Sequence, residues 1–333
     1  MRCSPFLGRL LLLVALPVVM VLSAMGVAFK GSVPDTSGEA SLPGLREPVR
    51  VVRDQWGIPS IQAQNDHDAF FALGYAHAQD RMWQMDYKRR LGQGRLSEVL
   101  GARFLPSDKL MRTLGLDQAA QDALNRLSPD ERVSLRAYAD GVNAWIDGGH
   151  DLPIEYDYVG GRPEHWRESD SLLMVKLLAL SLGGNYRQEL ANQVLVKHLG
   201  ETRASELTGL DFAKRPAGGT AEPAAPDIAV SSPAIDAAGA LWQITGNVER
   251  LAGLGGEGVG SNAWAVAGRH VDDGKPLLAG DPHLRNQMPS TFYLARLSGG
   301  RLDVAGATLP GVPVVVFGDN ASIAWAGTNL AAD

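Results

Sequence analysis

Gly258-Val259-Gly260-Ser261-Asn262-Ala263-Trp264-Ala265-Val266 is the stretch on which the reading of this chain turns. It closes a tract rich in Gly, Ala and Pro and opens an alternating run, Trp264-Ala265-Val266, that predicts a strand. A serine hydroxyl is a weak nucleophile until a base takes its proton. A free α-amine, with a pKa of ~8, can be that base near neutrality, whereas the nitrogen inside an intact peptide bond has no basicity. A cut between Gly260 and Ser261 would therefore create nucleophile and base on one residue. Gly260 leaves the scissile carbonyl uncrowded and tolerates strained backbone. Read alone, Gly-Ser is equally a loop entering a strand.

Context on both sides narrows the choice. Upstream lie Arg53-Asp54-Gln55-Trp56-Gly57-Ile58-Pro59 and Gly74-Tyr75-Ala76-His77-Ala78-Gln79-Asp80-Arg81-Met82-Trp83-Gln84-Met85, then Arg89-Arg90, Gly94, Leu96 and Glu98-Val99-Leu100-Gly101. Downstream lie Asp281-Pro282-His283-Leu284, Gly306-Ala307-Thr308-Leu309-Pro310-Gly311-Val312-Pro313, Gly318-Asp319-Asn320, Ile323-Ala324-Trp325 and Thr328-Asn329. In this order, around the Gly-Ser junction, these blocks resemble the penicillin acylase family of N-terminal-nucleophile amidohydrolases. The resemblance runs from about Arg50 to the last residue.

The resemblance implies an αββα sandwich, where periodicity alone supports α+β. It implies residues 49–212 as an α-chain, 213–260 as a spacer removed in maturation, and 261–333 as the start of a β-chain, the two chains forming a heterodimer. Ser261 is then the nucleophile, with Gly260 on the other side of the processed bond. His283, 22 residues on, orients the new α-amine, and the backbone N–H near Asn329 is one oxyanion donor. Leu284, Val316, Phe317 and Tyr186 fall where the family lines its acyl pocket, which implies an aromatic or fatty acyl group. Glu189 and Asp333 fall where many members hold a structural calcium ion. No organic cofactor is implied. A second oxyanion donor and an arginine would lie past Asp333, so the sequence reads as a precursor that stops short. An acyl-amide hydrolase acting on β-lactam antibiotics or N-acyl homoserine lactones is one reading. A binding-only or inactive homologue is the other.

Bulk properties agree with a large exported protein. The 333 residues suffice for two domains, and a hydrophobic fraction of 45% supports a substantial core. The net charge is −6 with no basic cluster, which argues against a nucleic-acid partner. Cys3 is the only cysteine, so no internal disulfide forms. Residues 1–30 form a targeting segment: Arg2 and Arg9, then an apolar run from Leu10 to Phe29, with small-x-small sites at Ala24-Met25-Gly26 and Gly26-Val27-Ala28. The run is long for a signal peptide and just long enough to span a bilayer, so a cleaved signal and a retained tether both stay open. Either places the rest in the periplasm.

The remainder reads as helices followed by strands. Residues 31–48 are a Gly-, Ser- and Pro-rich tether. Strands are expected over 48–54 and 60–63, then a helix capped by Asp66 or Asp68 and ended by Gly92 and Gly94. Its apolar face is Phe71, Tyr75, Ala78, Met82 and Met85, and His77, Asp80 and Arg81 read as a buried structural network rather than a catalytic one. Ser128-Pro129-Asp130-Glu131 is a capping box opening a helix that buries Leu135, Tyr138, Val142, Trp145 and Ile146. Pro153 to Trp166 is expected to be irregular. A long apolar helix from Asp170 breaks at Gly183-Gly184, a hinge or a plain loop, and resumes at Tyr186. Strands are expected over 262–269, 276–280, 290–297, 302–307, 313–317 and 322–327.

Overall fold

The computed structural model describes residues 13–23, 26, 32–183, 186–210, 251 and 260–329, with backbone alone for 186–188 and 190. The targeting segment is thus described only at helical residues 13–23 and at Gly26. Among the described residues no helix is long and apolar enough to cross a membrane. Most of the spacer lies outside them.

Two short strands, β1 (Arg50–Arg53) and β2 (Pro59–Gln62), precede the long helix α1 (Asp66–Gln93). Four helices follow: α2 (Ser97–Leu100), α3 (Leu105–Leu114), α4 (Leu116–Leu124) and α5 (Pro129–Asp147). Then come α6 (Glu155–Val159), α7 (Glu168–Leu182) and α8 (Tyr186–Thr208). Six more strands follow among the described residues: β3 (Gly260–Val266), β4 (Leu277–His283), β5 (Tyr293–Gly299), β6 (Leu302–Thr308), β7 (Val315–Asn320) and β8 (Ala324–Trp325). The class is α+β, as expected. All eight expected strands form, with ends shifted by a few residues. Residues 105–124, for which no helix was expected, form α3 and α4. The stretch expected to be irregular contains α6.

The strands make two sheets, one of six in the order β1-β2-β5-β6-β7-β8 and one of two, β3-β4. In the larger sheet β2 runs parallel to β5, pairing Ser60 with Arg296 and Gln62 with Ser298. All other pairings are antiparallel. One sheet is therefore built from chain on both sides of residues 213–260. β5 alternates: Tyr293, Ala295 and Leu297 are buried, while Leu294 and Arg296 are exposed. That period of two turns one face onto α1.

The main core joins Ile61, Tyr293, Ala295 and Leu297 of the sheet to Ala69, Leu73, Met82 and Met85 of α1 and to Tyr138, Val142 and Trp145 of α5. α1 and α5 cross closely because Gly74 and Gly141 sit at the crossing. A Cβ on Gly74 would strike the carbonyl oxygen of Tyr138, and one on Gly141 that of Phe71. A second cluster, of Leu91, Leu96, Met111 and Leu177, is flanked by Leu251 and Leu284.

Helix ends follow local chemistry. The capping box at α5 forms as expected, with Ser128 N–H donating to Glu131 at 2.8 Å. Gly94, left-handed at φ 64°, ends α1. The N-cap of α1 is Asn65, not Asp66 or Asp68: Asn65 Oδ1 accepts from Asp68 N–H at 2.9 Å. Both aspartates are otherwise engaged. Asp68, fully buried, accepts from the N–H groups of Arg46 and Glu47 at 3.0 and 2.9 Å, and Asp66 accepts from Arg301. Burial pushes the Asp68 carboxyl up, but hydrogen bonds from Arg46, His67, Asn65 and Glu47 outweigh it and hold it below the usual range. Residues 46 and 47 of the expected tether are pinned there, and Gln79 reaches Asp35 O at 2.9 Å.

Candidate active site

β3 and β4 form a ribbon whose register sets the geometry of the junction. Gly260 lies opposite His283, Ser261 opposite Pro282, and Asn262 opposite Asp281. Facing residues of a ladder share a side, and alternate residues of a strand do too. Gly260, Asn262, Asp281 and His283 therefore stand on one side, and Ser261, Ala263 and Gly280 on the other.

Ser261 Oγ donates to the carbonyl oxygen of Gly260 at 2.6 Å. The hydroxyl thus rests against the carbonyl of the bond expected to be cut. The side that Ser261 shares with Gly280 meets the segment that follows β8, since a Cβ on Gly280 would come 2.7 Å from Ala326 Cβ. Asn329, three residues later, donates through Nδ2 to Leu182 O, the last residue of α7, at 2.6 Å. That bond occupies its side chain and leaves its backbone as the group to consider for an oxyanion.

His283 bonds within the ribbon. Its Nε2 is 2.8 Å from Asp281 Oδ2 and 3.3 Å from Asn262 Nδ2. Its Nδ1 faces the junction, at 3.7 Å from where a Gly260 Cβ would stand. Asp281 is the residue here to which sequence reasoning gave no role, although two positions apart on a strand means the same side. Both side chains are exposed, at 41% and 61%.

The residues expected to line an acyl pocket have different neighbours. Leu284 packs against the second cluster. Val316 packs against the main core, at a bulge where Val315 pairs with Thr308 and Phe317 with Ala307. Phe317 stacks edge-on with Phe292 at 5.5 Å and abuts Gly327. Of these, Phe317 is the one placed beside the 326–329 segment. The Tyr186 side chain lies outside the described residues. So does Asp333, expected with Glu189 at a calcium ion. Glu189 is exposed on α8, and among the described residues no group of three or more His, Cys, Asp or Glu could hold a metal.

Of the residues expected to form a buried network, His77 is buried and Asp80 and Arg81 are partly exposed. His77 is fully buried, with Nδ1 2.8 Å from Tyr138 Oη and Nε2 2.9 Å from Thr308 Oγ1. Tyr138 Oη accepts from Gly311 N–H, so its own proton goes to Nδ1; Thr308 Oγ1 donates to Tyr293 O, so it accepts from Nε2–H. Every proton in the chain is placed. Burial, then the charge of Arg81, lowers the His77 pKa to about 3, so the ring is neutral. Nearby, Asp80 takes Arg53 Nη1 at 2.7 Å and Tyr293 Oη at 2.6 Å.

The comparisons with known proteins agree on one family. The family model for penicillin amidase matches residues 48–333. The penicillin acylase 2 proenzyme of Pseudomonas sp. (strain SE83) is 38% identical over 311 residues, covering 92% of this chain and 39% of that protein. The acyl-homoserine lactone acylase QuiP of Pseudomonas aeruginosa is 35% identical over 315 residues, covering 92% of this chain and 36% of that protein. Penicillin G acylase of Escherichia coli is 30% identical over 339 residues, covering 86% and 40%. A solved thermostable penicillin G acylase from Alcaligenes faecalis aligns at 29% identity with a TM-score of 0.43, over 54% of this chain and 100% of that one. This chain spans about two fifths of the length of the curated relatives it matches. With the family model matched from residue 48 to residue 333, the chain belongs to the penicillin amidase family.

Proposed function

We propose that this chain belongs to an enzyme that hydrolyses the amide bond of an acylated small molecule, after cutting itself between Gly260 and Ser261. The observation that carries the reading is the 2.6 Å contact between Ser261 Oγ and the Gly260 carbonyl oxygen, at the head of an ordered strand. Attack of Oγ on the Gly260 carbonyl carbon, with cleavage of the C–N bond, transfers the Gly260 acyl group to Oγ. The proton lost by Oγ goes to the departing nitrogen, and water hydrolyses the ester. Ser261 then begins a new chain with a free amine.

In turnover that amine takes the proton from Oγ, and Oγ attacks the substrate's acyl carbon. The amine product leaves with a proton, and water hydrolyses the acyl-Ser261 ester. His283 holds the amine, and the Asn329 backbone N–H donates to the oxyanion. Leu284, Val316, Phe317 and Tyr186 line the acyl side, of which Phe317 has support from its contact with Gly327. A calcium ion on Glu189 and Asp333 rests on the resemblance alone. The substrate is a β-lactam antibiotic or an N-acyl homoserine lactone, as the names of the relatives suggest. Export to the periplasm is part of the proposal and follows from residues 1–30.

Digestion of the expressed protein during turnover of phenylacetyl-β-lactams and N-acyl homoserine lactones tests this. An acyl adduct on the peptide that begins at Ser261, and its loss in Ser261→Ala, is the expected result. Amide hydrolysis that persists in Ser261→Ala overturns it.

A further inference from the structure

The Asp281–His283 contact has a consequence for the proton on the imidazole. Nε2 of His283 meets two groups with opposite demands. A carboxylate only accepts, so Asp281 at 2.8 Å requires a proton on Nε2. An amide nitrogen only donates, so Asn262 Nδ2 at 3.3 Å requires a bare Nε2. The carboxylate contact is shorter and charge-assisted, and prevails. Turning the Asn262 amide over brings its oxygen to that place and removes the conflict. A neutral imidazole with its proton on Nε2 has its lone pair on Nδ1. That is the nitrogen that faces Gly260.

We infer that Asp281 is a positioning residue whose carboxylate holds His283 as the Nε2–H tautomer, so that Nδ1 is an acceptor beside the Gly260–Ser261 junction. The inference rests on the proposed function. Once the bond is cut, the Ser261 amine gives one N–H to Nδ1, which turns the nitrogen lone pair toward Oγ. With the other tautomer, Nδ1–H would donate to the amine nitrogen and occupy the lone pair that must take the proton from Oγ. The contact need not be strong, because a hydrogen bond from Nε2–H to the carboxylate favours that tautomer over the one that leaves Nε2 bare against it. Strand geometry supplies the rest, since residues 281 and 283 stand on the same side of β4 with the Asn262–Gly260 side of β3 facing them.

The test uses the expressed, processed protein labelled with 15N-histidine. In the wild type, His283 is expected to show a protonated Nε2 and a bare Nδ1. Asp281→Asn, which keeps shape and removes the carboxylate, is expected to mix the two tautomers and lower kcat about tenfold or more with KM within about twofold, as for other partners that orient a histidine. Asp281→Glu is expected to restore the tautomer and most of kcat. An unchanged tautomer and kcat in Asp281→Asn, with Ser261→Ala inactive, overturns the role of Asp281 and leaves the proposed function standing. Turnover by Ser261→Ala overturns the proposed function itself, whatever Asp281→Asn does.

Discussion

His77 Nε2 lies 2.9 Å from Thr308 Oγ1, joining a helix that precedes residues 213–260 to a strand that follows them. The ring is the middle link of a chain from Gly311 N–H through Tyr138 to Thr308 and the Tyr293 carbonyl. Replacing His77 by Ala leaves a cavity and takes one hydrogen bond from each of two buried hydroxyls, Tyr138 and Thr308. The expected cost is ~3–5 kcal/mol in urea unfolding at neutral pH, the combined scale of core truncation and unmet buried hydrogen bonds.

The same histidine makes the fold sensitive to acid. Its folded pKa, about 3, lies below its unfolded value near 6.5, because burial and then Arg81 disfavour the charged ring; Tyr138 and Tyr293 face it without charge. Between those values the unfolded chain holds a proton that the folded chain cannot. Stability attributable to His77 is thus complete above pH ~6.5 and falls by up to ~1.4 kcal/mol per unit as the pH drops toward 3. Unfolding curves from pH 7 to 4.5 should show this slope in the wild type and a shallower one in His77→Gln.

Lys88 gives the opposite test at high pH. Its side chain, on α1, is nine-tenths buried, and burial followed by the charge of Arg81 lowers its pKa to about 8. The unfolded value is near 10.5, so from pH 8 to 10.5 the unfolded chain binds the extra proton and stability rises with pH. At pH 7 both states are charged and the full penalty applies. Lys88→Met is expected to stabilise the protein at pH 7, by up to ~3 kcal/mol, and to lose that advantage by pH 10. Paired melts at the two pH values check it.

Gly141 and Gly74 let α1 and α5 approach, each lying against a carbonyl of the other helix. Gly141→Ala should force the helices apart and cost ~1–3 kcal/mol through overpacking. The reading is a lower thermal midpoint with unchanged helix content by circular dichroism. An unchanged midpoint would mean that the crossing is looser than described.

The larger sheet joins chain from before residue 213 to chain from after residue 260, through β2–β5 pairing and through Asp80, which binds Arg53 and Tyr293. Cutting the chain at Ser261 leaves these contacts whole. The two chains are expected to elute together in gel filtration and to separate in denaturant. Asp80→Ala, which removes the carboxylate beside Arg53 and leaves its bonds to Gln79 and Gly57 O, is expected to cost ~2 kcal/mol and to lower the denaturant at which they part.

Local signals in the sequence carried far. Ser128 and Glu131 announce their capping box, the apolar period of α1 names its buried face, and alternation marks the strands. Where partners lie far away, the sequence is silent. Asn65 rather than Asp68 caps α1 because Asp68 is spent on Arg46 and Glu47, which no spacing reveals. The parallel pairing of Ser60 with Arg296 is likewise a tertiary fact. Two short helices over 105–124 passed unnoticed, although Pro106 in the first turn and Gly115 at φ 68° are the punctuation that frames them. At the junction, Ser261 and His283 were singled out through resemblance, and the ribbon sets Gly260 opposite His283. Asp281 stood in the same motif, and only the ribbon showed what it touches. Leu284, Val316 and Phe317 were read together but pack in different places.

The most direct test is the mass and first residue of the downstream chain in the expressed protein. The account expects a chain that begins at Ser261 with a free amine, and a single uncut chain in Ser261→Ala. A downstream chain that begins at any other residue, or one still released from Ser261→Ala, would contradict it.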